Sequence, residues 1–160
     1  MNSTPPKEVG IAPINLICLF KLLWLVKIDD LNLDSETVKS AKLHSKYLEL
    51  FSLAKLQLKR NEMELDKVRK EKWLYYNGKM SKEQIDERSW KYDPFDGMTK
   101  PLKSDMDMYY KTDEDIVRIT SKIEYQKAVV ETLEEIMNNI RWRHGHIKNI
   151  LDFKKFTSGV

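Results

Sequence analysis

The sequence predicts an all-α protein built on two long helices, and two observations support this fold class. The 160 residues include only five Gly and five Pro, so residues that interrupt helices are rare. Apolar residues also recur at alternating spacings of three and four over two long stretches, which is the period of a helix face. A chain of this length suffices for one domain and is short for two.

The first long helix is expected at about residues 35–76. Asp34 or Ser35 can cap its first N–H groups. One face then carries apolar residues at helical spacing, namely Tyr47, Phe51, Ala54, Leu58, Leu65, Val68 and Tyr75. Asn61 falls on the same face, where it is compatible with a buried residue that fixes helix register or with an Asn turned to solvent. The Asn-Gly pair at 77–78 is typical of a helix end.

The middle of the chain, residues 77–111, is expected to be irregular apart from one short helix. Ser81–Gln84 has the capping-box pattern that starts a helix, and Asp93–Gly97 has the composition of a turn. Met106 and Met108 precede two tyrosines, and this stretch can pack on the long helices.

The second long helix is expected at about residues 112–156, opening with a capping box at Thr112–Asp115. A heptad stripe follows at Ile116, Ile119, Ile123, Gln126, Val130, Leu133, Met137, Ile140, His144, Ile147 and Leu151. A hairpin of two such helices exposes much surface, so further copies of the chain are the simplest way to cover it. The candidate oligomerisation residues are Ile116, Ile119, Ile123, Val130, Leu133, Met137, Ile140, Ile147 and Leu151.

Residues 1–28 form an apolar extension whose order the sequence leaves open, ahead of a single helical domain at 29–160. The apolar run Ile14–Val26 carries Lys21 and is too short to span a bilayer, and it lacks the flanks of a signal peptide. It fits a helix that docks on a partner or another subunit, or a membrane-surface helix. Cys18 is interpreted as a small buried thiol; a single Cys builds no disulfide framework, which favours a reducing compartment.

The sequence shows no pattern of an enzyme or a metal protein. It contains no phosphate-binding loop, nucleophile elbow or zinc-protease motif. His144 and His146 are two residues apart and do not share a helix face, so they make a poor metal site. We therefore expect no catalytic residues, no metal and no cofactor.

Nucleic-acid binding is the chemistry that the charge pattern favours, although the net charge of +3 is a mild excess. Lysine and arginine neutralise phosphates, and exposed aromatic rings stack on bases. Cations and one tryptophan cluster where the first long helix ends, so the candidate DNA-binding residues are Lys67, Arg69, Lys70, Lys72, Trp73 and Lys79. The alternative is a solvated row of lysines beside core tyrosines. A second basic stretch, Arg141–Lys148 with Lys154–Phe156, also suits the negative end of a helix dipole.

At these residues the chain resembles a known family, the UvsY recombination, repair and single-strand DNA binding proteins of large tailed phages. The matching segments occur in order at Lys42–Leu48, Lys72–Lys79, Pro94–Asp96, Asp105–Tyr109, Lys122–Lys127 and Ile147–Gly159. Each segment alone is unspecific. The ordered set extends from about Ile28 to the C-terminus.

The resemblance implies a recombination mediator that works in the cytoplasm of an infected bacterial host. Family members are helical proteins that assemble into a ring-like hexamer or heptamer and bind single-stranded DNA. They help to displace the phage single-strand DNA-binding protein and stabilise the filament of a RecA-like recombinase. The family's DNA-contacting basic pair corresponds to Lys70 and Lys72, and its assembly helix corresponds to the stripe Ile116–Leu151. One departure is the apolar run Ile14–Val26, since members usually begin with a short, charged amphipathic helix.

An alternative from another class is a structural coiled-coil assembly protein or chaperone that does not bind nucleic acid. The heptad stripe is common to both hypotheses. Binding to an oligonucleotide at low salt distinguishes them.

Overall fold

The computed structural model of the chain describes residues 27–159, which form helices without strands. The helices are α1 (Leu33–Tyr76), α2 (Lys82–Glu87), α3 (Met106–Thr112) and α4 (Glu114–Ser158). This confirms the predicted all-α class with two long helices. The expectation of a single short helix in the middle of the chain is wrong, because α3 forms there as well. None of the helices in this part of the chain is both long and apolar enough to cross a membrane. The predictions for Cys18 and Ile14–Val26 fall outside the described residues.

Helix α1 begins slightly earlier than predicted. The Glu36 N–H donates to the Asn32 carbonyl, which makes Asn32 the residue before the first helical turn. The Ser35 hydroxyl donates to the same carbonyl. The prediction that Asp34 or Ser35 caps the helix is therefore wrong, because both residues lie inside its first turn.

The end of α1 and the start of α2 confirm the predicted turn chemistry. Gly78 has a positive φ of 64°, and the N–H groups of Gly78 and Lys79 donate back to the carbonyls of Tyr75 and Leu74. This is the Schellman arrangement that a glycine permits at a helix end. The capping box of α2 is complete, since the Ser81 hydroxyl accepts from the Gln84 N–H and the Gln84 side chain accepts from the Ser81 N–H.

The start of α4 is capped one residue later than predicted. The Asp113 carboxylate accepts hydrogen bonds from the N–H groups of Asp115 and Ile116, which is the standard N-cap geometry. Thr112 instead donates its hydroxyl to the Met108 carbonyl in the preceding helix. The aspartate takes the capping position because Thr112 is still part of α3.

The described residues fall into two compact units, and each long helix contributes to both. The terminal unit contains residues 27–51 and 132–159, and the central unit contains Ser52–Glu131. In the terminal unit, the buried side chains of Glu36 and Arg143 form an ion pair. Arg143 thus occupies the buried position that the heptad stripe assigned to His144, which is exposed.

In the central unit, α1 and α4 run in opposite directions. The Gln126 side chain donates to the Ala54 carbonyl at 3.2 Å. Asn61 is only 1% exposed and accepts a hydrogen bond from Gln57, which agrees with the buried interpretation of this residue. At the C-terminal end of α1 lies a hydrophobic cluster rich in aromatic residues, built from Tyr75, Tyr76, Ile85, Phe95 and Met106 with Met80, Trp90, Tyr109 and Tyr110 around them.

Most of the heptad stripe on α4 is buried within the chain itself. Ile116, Ile119, Ile123, Val130, Leu133, Met137 and Ile147 are buried, Ile140 is partly exposed, and Leu151 is exposed. A spacing of three and four is found both in helices that pack within one chain and in helices that pack between copies. The pattern alone therefore does not distinguish packing within the chain from packing between subunits. Assembly into a ring stays a prediction, and the buried members of the stripe are already used inside the subunit.

Candidate nucleic-acid interface

The C-terminal end of α1 carries a group of cations around one tryptophan. Lys67, Arg69, Lys70 and Lys79 are exposed, and Trp73 is 46% exposed. The Lys79 ammonium lies 4.7 Å from the centroid of the Trp73 ring, within the range of a cation–π contact. We call these five residues the basic face. They are five of the six residues that the sequence predicted for DNA binding.

Helical spacing places four of these side chains in two neighbouring pairs. Lys67 and Lys70 are three residues apart, and Arg69 and Trp73 are four apart, so the members of each pair are neighbours on the helix surface. Asp66 is also exposed here and adds a carboxylate, but the cations remain in excess. Such a surface can neutralise phosphates while the indole stacks on a base without reading its identity.

Lys72, the sixth predicted residue, has different surroundings from those expected. It is only 6% exposed, and its ammonium lies 2.9 Å from carboxylate oxygens of both Asp113 and Asp115. It also lies 3.8 Å from the centroid of the Trp90 ring. A phosphate could reach this ammonium only by displacing its carboxylates. Lys72 therefore links α1 to the beginning of α4 and is not part of the basic face.

The two aspartates that hold Lys72 are themselves held by other groups. The Tyr76 hydroxyl donates to Asp113 at 2.7 Å, and burial together with this hydrogen bond raises the pKa of the Tyr76 phenol. The Trp90 indole N–H donates to Asp115 at 3.1 Å. Burial alone would raise the pKa of Asp115, but the hydrogen bond and charge of Lys72, together with the charge of Arg118 and the Trp90 hydrogen bond, lower that pKa. The network keeps the end of α1 in a defined position.

The second basic stretch that the sequence singled out does not form one surface. Trp142 is exposed, whereas its neighbour Arg143 is buried and paired with Glu36. Further along α4, the Lys154 ammonium donates to the Asp30 carbonyl. Two of these cations thus serve contacts inside the terminal unit.

A second surface of the central unit was not singled out from the sequence. It is a cleft of about 400 Å³ beyond the turn that ends α1. The cleft is lined by Tyr75, Tyr76, Gly78, Met80, Lys82, Ile85, Tyr92, Pro94, Phe95, Met98 and Lys100. The density of aromatic residues near 90–95 was its only sequence signal, and such residues more often fill a core.

Comparison with known proteins identifies the family of the chain. A family model described as "Recombination, repair and ssDNA binding protein UvsY" matches residues 25–160. The chain belongs to the UvsY family. The resemblance noted in the sequence is thereby confirmed over the whole described region. The family description names DNA binding and names no catalytic reaction.

A relative from phage T4 and two crystal structures resemble the chain over most of its length. The recombination protein uvsY of Enterobacteria phage T4 is 24% identical over 134 residues, which cover 84% of this chain and 90% of that protein. A crystal structure of the bacteriophage T4 recombination mediator protein UvsY (lattice type II) aligns with a TM-score of 0.74 at 22% identity, covering 89% of this chain and 96% of that one. A second crystal form (lattice type I) aligns with a TM-score of 0.73 at 23% identity, over 87% and 97% of the two chains. This UvsY family member therefore shares its fold with the T4 protein.

Proposed function

We propose that this protein is a recombination mediator that binds single-stranded DNA through the basic face. In this role it promotes loading of a RecA-like recombinase onto strands covered by the phage single-strand DNA-binding protein, in the cytoplasm of the infected host. The family description supports the DNA binding, and the T4 relative is named a recombination mediator. The observation that carries the proposal is the exposure of Lys67, Arg69 and Lys70 beside Trp73.

Repetition of the basic face in a homo-oligomer would make a modest patch effective. A net charge of +3 for the whole chain is small for a protein that binds a polyanion. In a ring of six or seven copies, a strand held at one basic face is presented to the next at high effective concentration, so weak contacts add. Large apolar side chains exposed near the end of α4, at Leu151, Phe153 and Phe156, are available for contacts between copies.

A salt-titrated binding assay with a fluorescent single-stranded oligonucleotide tests the DNA-binding step. The variant Lys67→Ala/Lys70→Ala should bind more weakly. The slope of log affinity against log salt should also become shallower by about 0.7 for each phosphate that the variant no longer neutralises. The matched control is Lys42→Ala/Lys122→Ala, which removes the same charge at two exposed positions outside the basic face. An equal decrease in both variants would show that net charge, and not this surface, governs binding.

A second assay tests the mediator step on its own. The DNA-dependent ATPase activity of the recombinase is measured on strands already covered by the single-strand DNA-binding protein. Addition of the wild-type protein should shorten the lag before ATP hydrolysis, and Lys67→Ala/Lys70→Ala should shorten it less. A protein that binds oligonucleotides but leaves the lag unchanged would be a DNA-binding protein without mediator activity. A protein that binds none at low salt would favour the structural coiled-coil or chaperone role.

A further inference from the structure

The cleft beyond α1 combines aromatic walls with cations. Tyr75, Tyr76 and Phe95 line it as buried rings, and Tyr92 lines it with 60% of its surface exposed. Its volume of about 400 Å³ lies within the range of roughly 300–1,000 Å³ for sites that hold small organic ligands. Aromatic walls of this kind suit a flat ring.

Tyr92 is held in place although its ring is exposed. Its hydroxyl donates to the Asp86 carboxylate on α2. The loop that follows is fixed by Asp93, whose carboxylate accepts from the N–H groups of Phe95 at 2.9 Å and Gly97 at 2.6 Å. An exposed ring with a fixed orientation gives up little freedom when a base stacks on it, so it is prepared for binding.

The charges around the cleft favour an anionic ligand. Lys82 and Lys100 line it, and none of its lining residues is an aspartate or glutamate. The Lys100 ammonium donates to the Asn77 carbonyl at 3.1 Å, which holds it near the end of α1. Three carboxylates lie nearby without lining the cleft: Asp86 accepts from the Tyr92 hydroxyl, Asp96 lies 3.4 Å from the Lys91 ammonium, and Asp93 accepts from backbone N–H groups.

We propose that this cleft binds one nucleobase of the single-stranded DNA. The base stacks on Tyr92, and Lys82 and Lys100 contact the phosphates on either side of it. The cleft adjoins the basic face, because Gly78 lines the cleft and Lys79 follows it in the chain. This inference rests on the proposed function and deepens it, since it adds to the basic face a second site that holds one base together with its flanking phosphates.

The experiment compares two fluorescent oligonucleotides of about 16 nucleotides, the upper range of a single-strand site. One is oligodeoxythymidylate, and the other has the same backbone without bases. The full-length wild-type protein should bind the first more tightly. Tyr92→Ala should weaken binding of oligodeoxythymidylate by roughly 5- to 150-fold, the cost of removing one base–aromatic stack, and should leave binding of the abasic strand unchanged.

Two variants provide controls. Tyr92→Phe keeps the ring but loses the hydrogen bond to Asp86 that orients it, so it should weaken binding of oligodeoxythymidylate much less than Tyr92→Ala does. Tyr125→Ala removes an equally large, exposed ring on α4 outside the cleft and should change neither affinity.

If wild-type protein binds both strands equally, the base site is wrong while DNA binding through phosphates survives. If it binds neither strand, the proposed function fails and the base site fails with it.

Other occupants of the cleft give different results. If Tyr92→Ala changed the sedimentation coefficient of the protein without DNA, the cleft would hold a second copy of the chain. This result would overturn the nucleobase assignment.

Discussion

The ammonium of Lys72 lies 2.9 Å from the carboxylate of Asp113, and both side chains are buried. This pair joins the last turns of α1 to the residue that caps α4. Lys70, two residues earlier in the chain, is exposed. Two lysines that look equivalent in the sequence therefore have different physical roles, one in the fold and one on the surface.

The first prediction separates these roles. Lys72→Met removes the buried cation of Asp113, while Asp115 keeps its pair with Arg118, and breaking a buried ion pair on one side typically costs about 3–5 kcal/mol of the free energy of unfolding. Lys70→Met should change that free energy by less than about 0.5 kcal/mol, as expected at an exposed site. Urea denaturation measures both values.

The effect on DNA affinity should be larger for Lys70→Met than for Lys72→Met, which is the reverse of their effects on stability. Lys70→Met should lower the affinity for a single-stranded oligonucleotide and reduce its salt dependence. Lys72→Met, assayed at a temperature where it is folded, should retain the wild-type salt slope. A reduced slope for folded Lys72→Met would place its ammonium on a phosphate and would contradict the structural role.

The second prediction concerns the stability of the fold at low pH. Lys72 and Arg118 lower the pKa of Asp115 in the folded chain despite its partial burial. A carboxylate with a lowered folded pKa stabilises the fold above its unfolded pKa of about 3.9, and this contribution disappears as the pH falls through the lower folded value. Urea midpoints measured from pH 7 to pH 2.5 should therefore decline below about pH 4. In Asp115→Asn the part of this decline that Asp115 causes should be missing. An unchanged dependence of the urea midpoint on pH would show that other carboxylates govern the decline.

The end of α1 and the start of α2 could be predicted from the sequence because their causes are local, whereas α3 and the caps of α1 and α4 were not predicted. The Asn-Gly end of α1 and the capping box of α2 each depend on residues within one turn. The surroundings of Lys72 could not be predicted, because its partners Asp113 and Asp115 come from a distant part of the chain. In the sequence those two carboxylates fit a helix start, where they favour the helix dipole, and this local role gives no sign that they also bind a lysine.

The heptad stripe shows a second limit of the same kind. Its period specified which face of α4 is buried, and Ile119, Ile123 and Leu133 are buried as expected. The period did not specify what covers that face, since an antiparallel helix of the same chain and a helix of another copy give the same pattern. The period also did not reveal that Arg143 would take the buried position expected for His144. A buried arginine there requires the carboxylate of Glu36 from α1.

The third prediction addresses that ion pair. Glu36→Leu removes the carboxylate that pairs with the buried Arg143 guanidinium and should lower the free energy of unfolding by about 3–5 kcal/mol. The double variant Glu36→Leu/Arg143→Met removes both charges and should recover most of that decrease, because apolar residues of similar volume often replace a buried pair at little cost. A double-mutant cycle by urea denaturation measures the coupling. Additive effects would mean that the two side chains do not depend on each other.

The last prediction uses two glycines with opposite backbone requirements. Gly145 lies within α4 at negative φ, and a Cβ added there would meet nothing within 4 Å. Gly145→Ala should therefore raise the free energy of unfolding by about 0.5–1 kcal/mol, the difference in helix propensity. A Cβ on Gly78 would also meet open space, but the φ of Gly78 is +64°, which disfavours any L-residue. Gly78→Ala should therefore lower the free energy of unfolding by about 1–2 kcal/mol. Neither site offers a steric clash, so changes of opposite sign in the free energy of unfolding, measured by thermal denaturation, would isolate the backbone effect. Decreases of equal size would instead point to a close approach of another copy of the chain at Gly145.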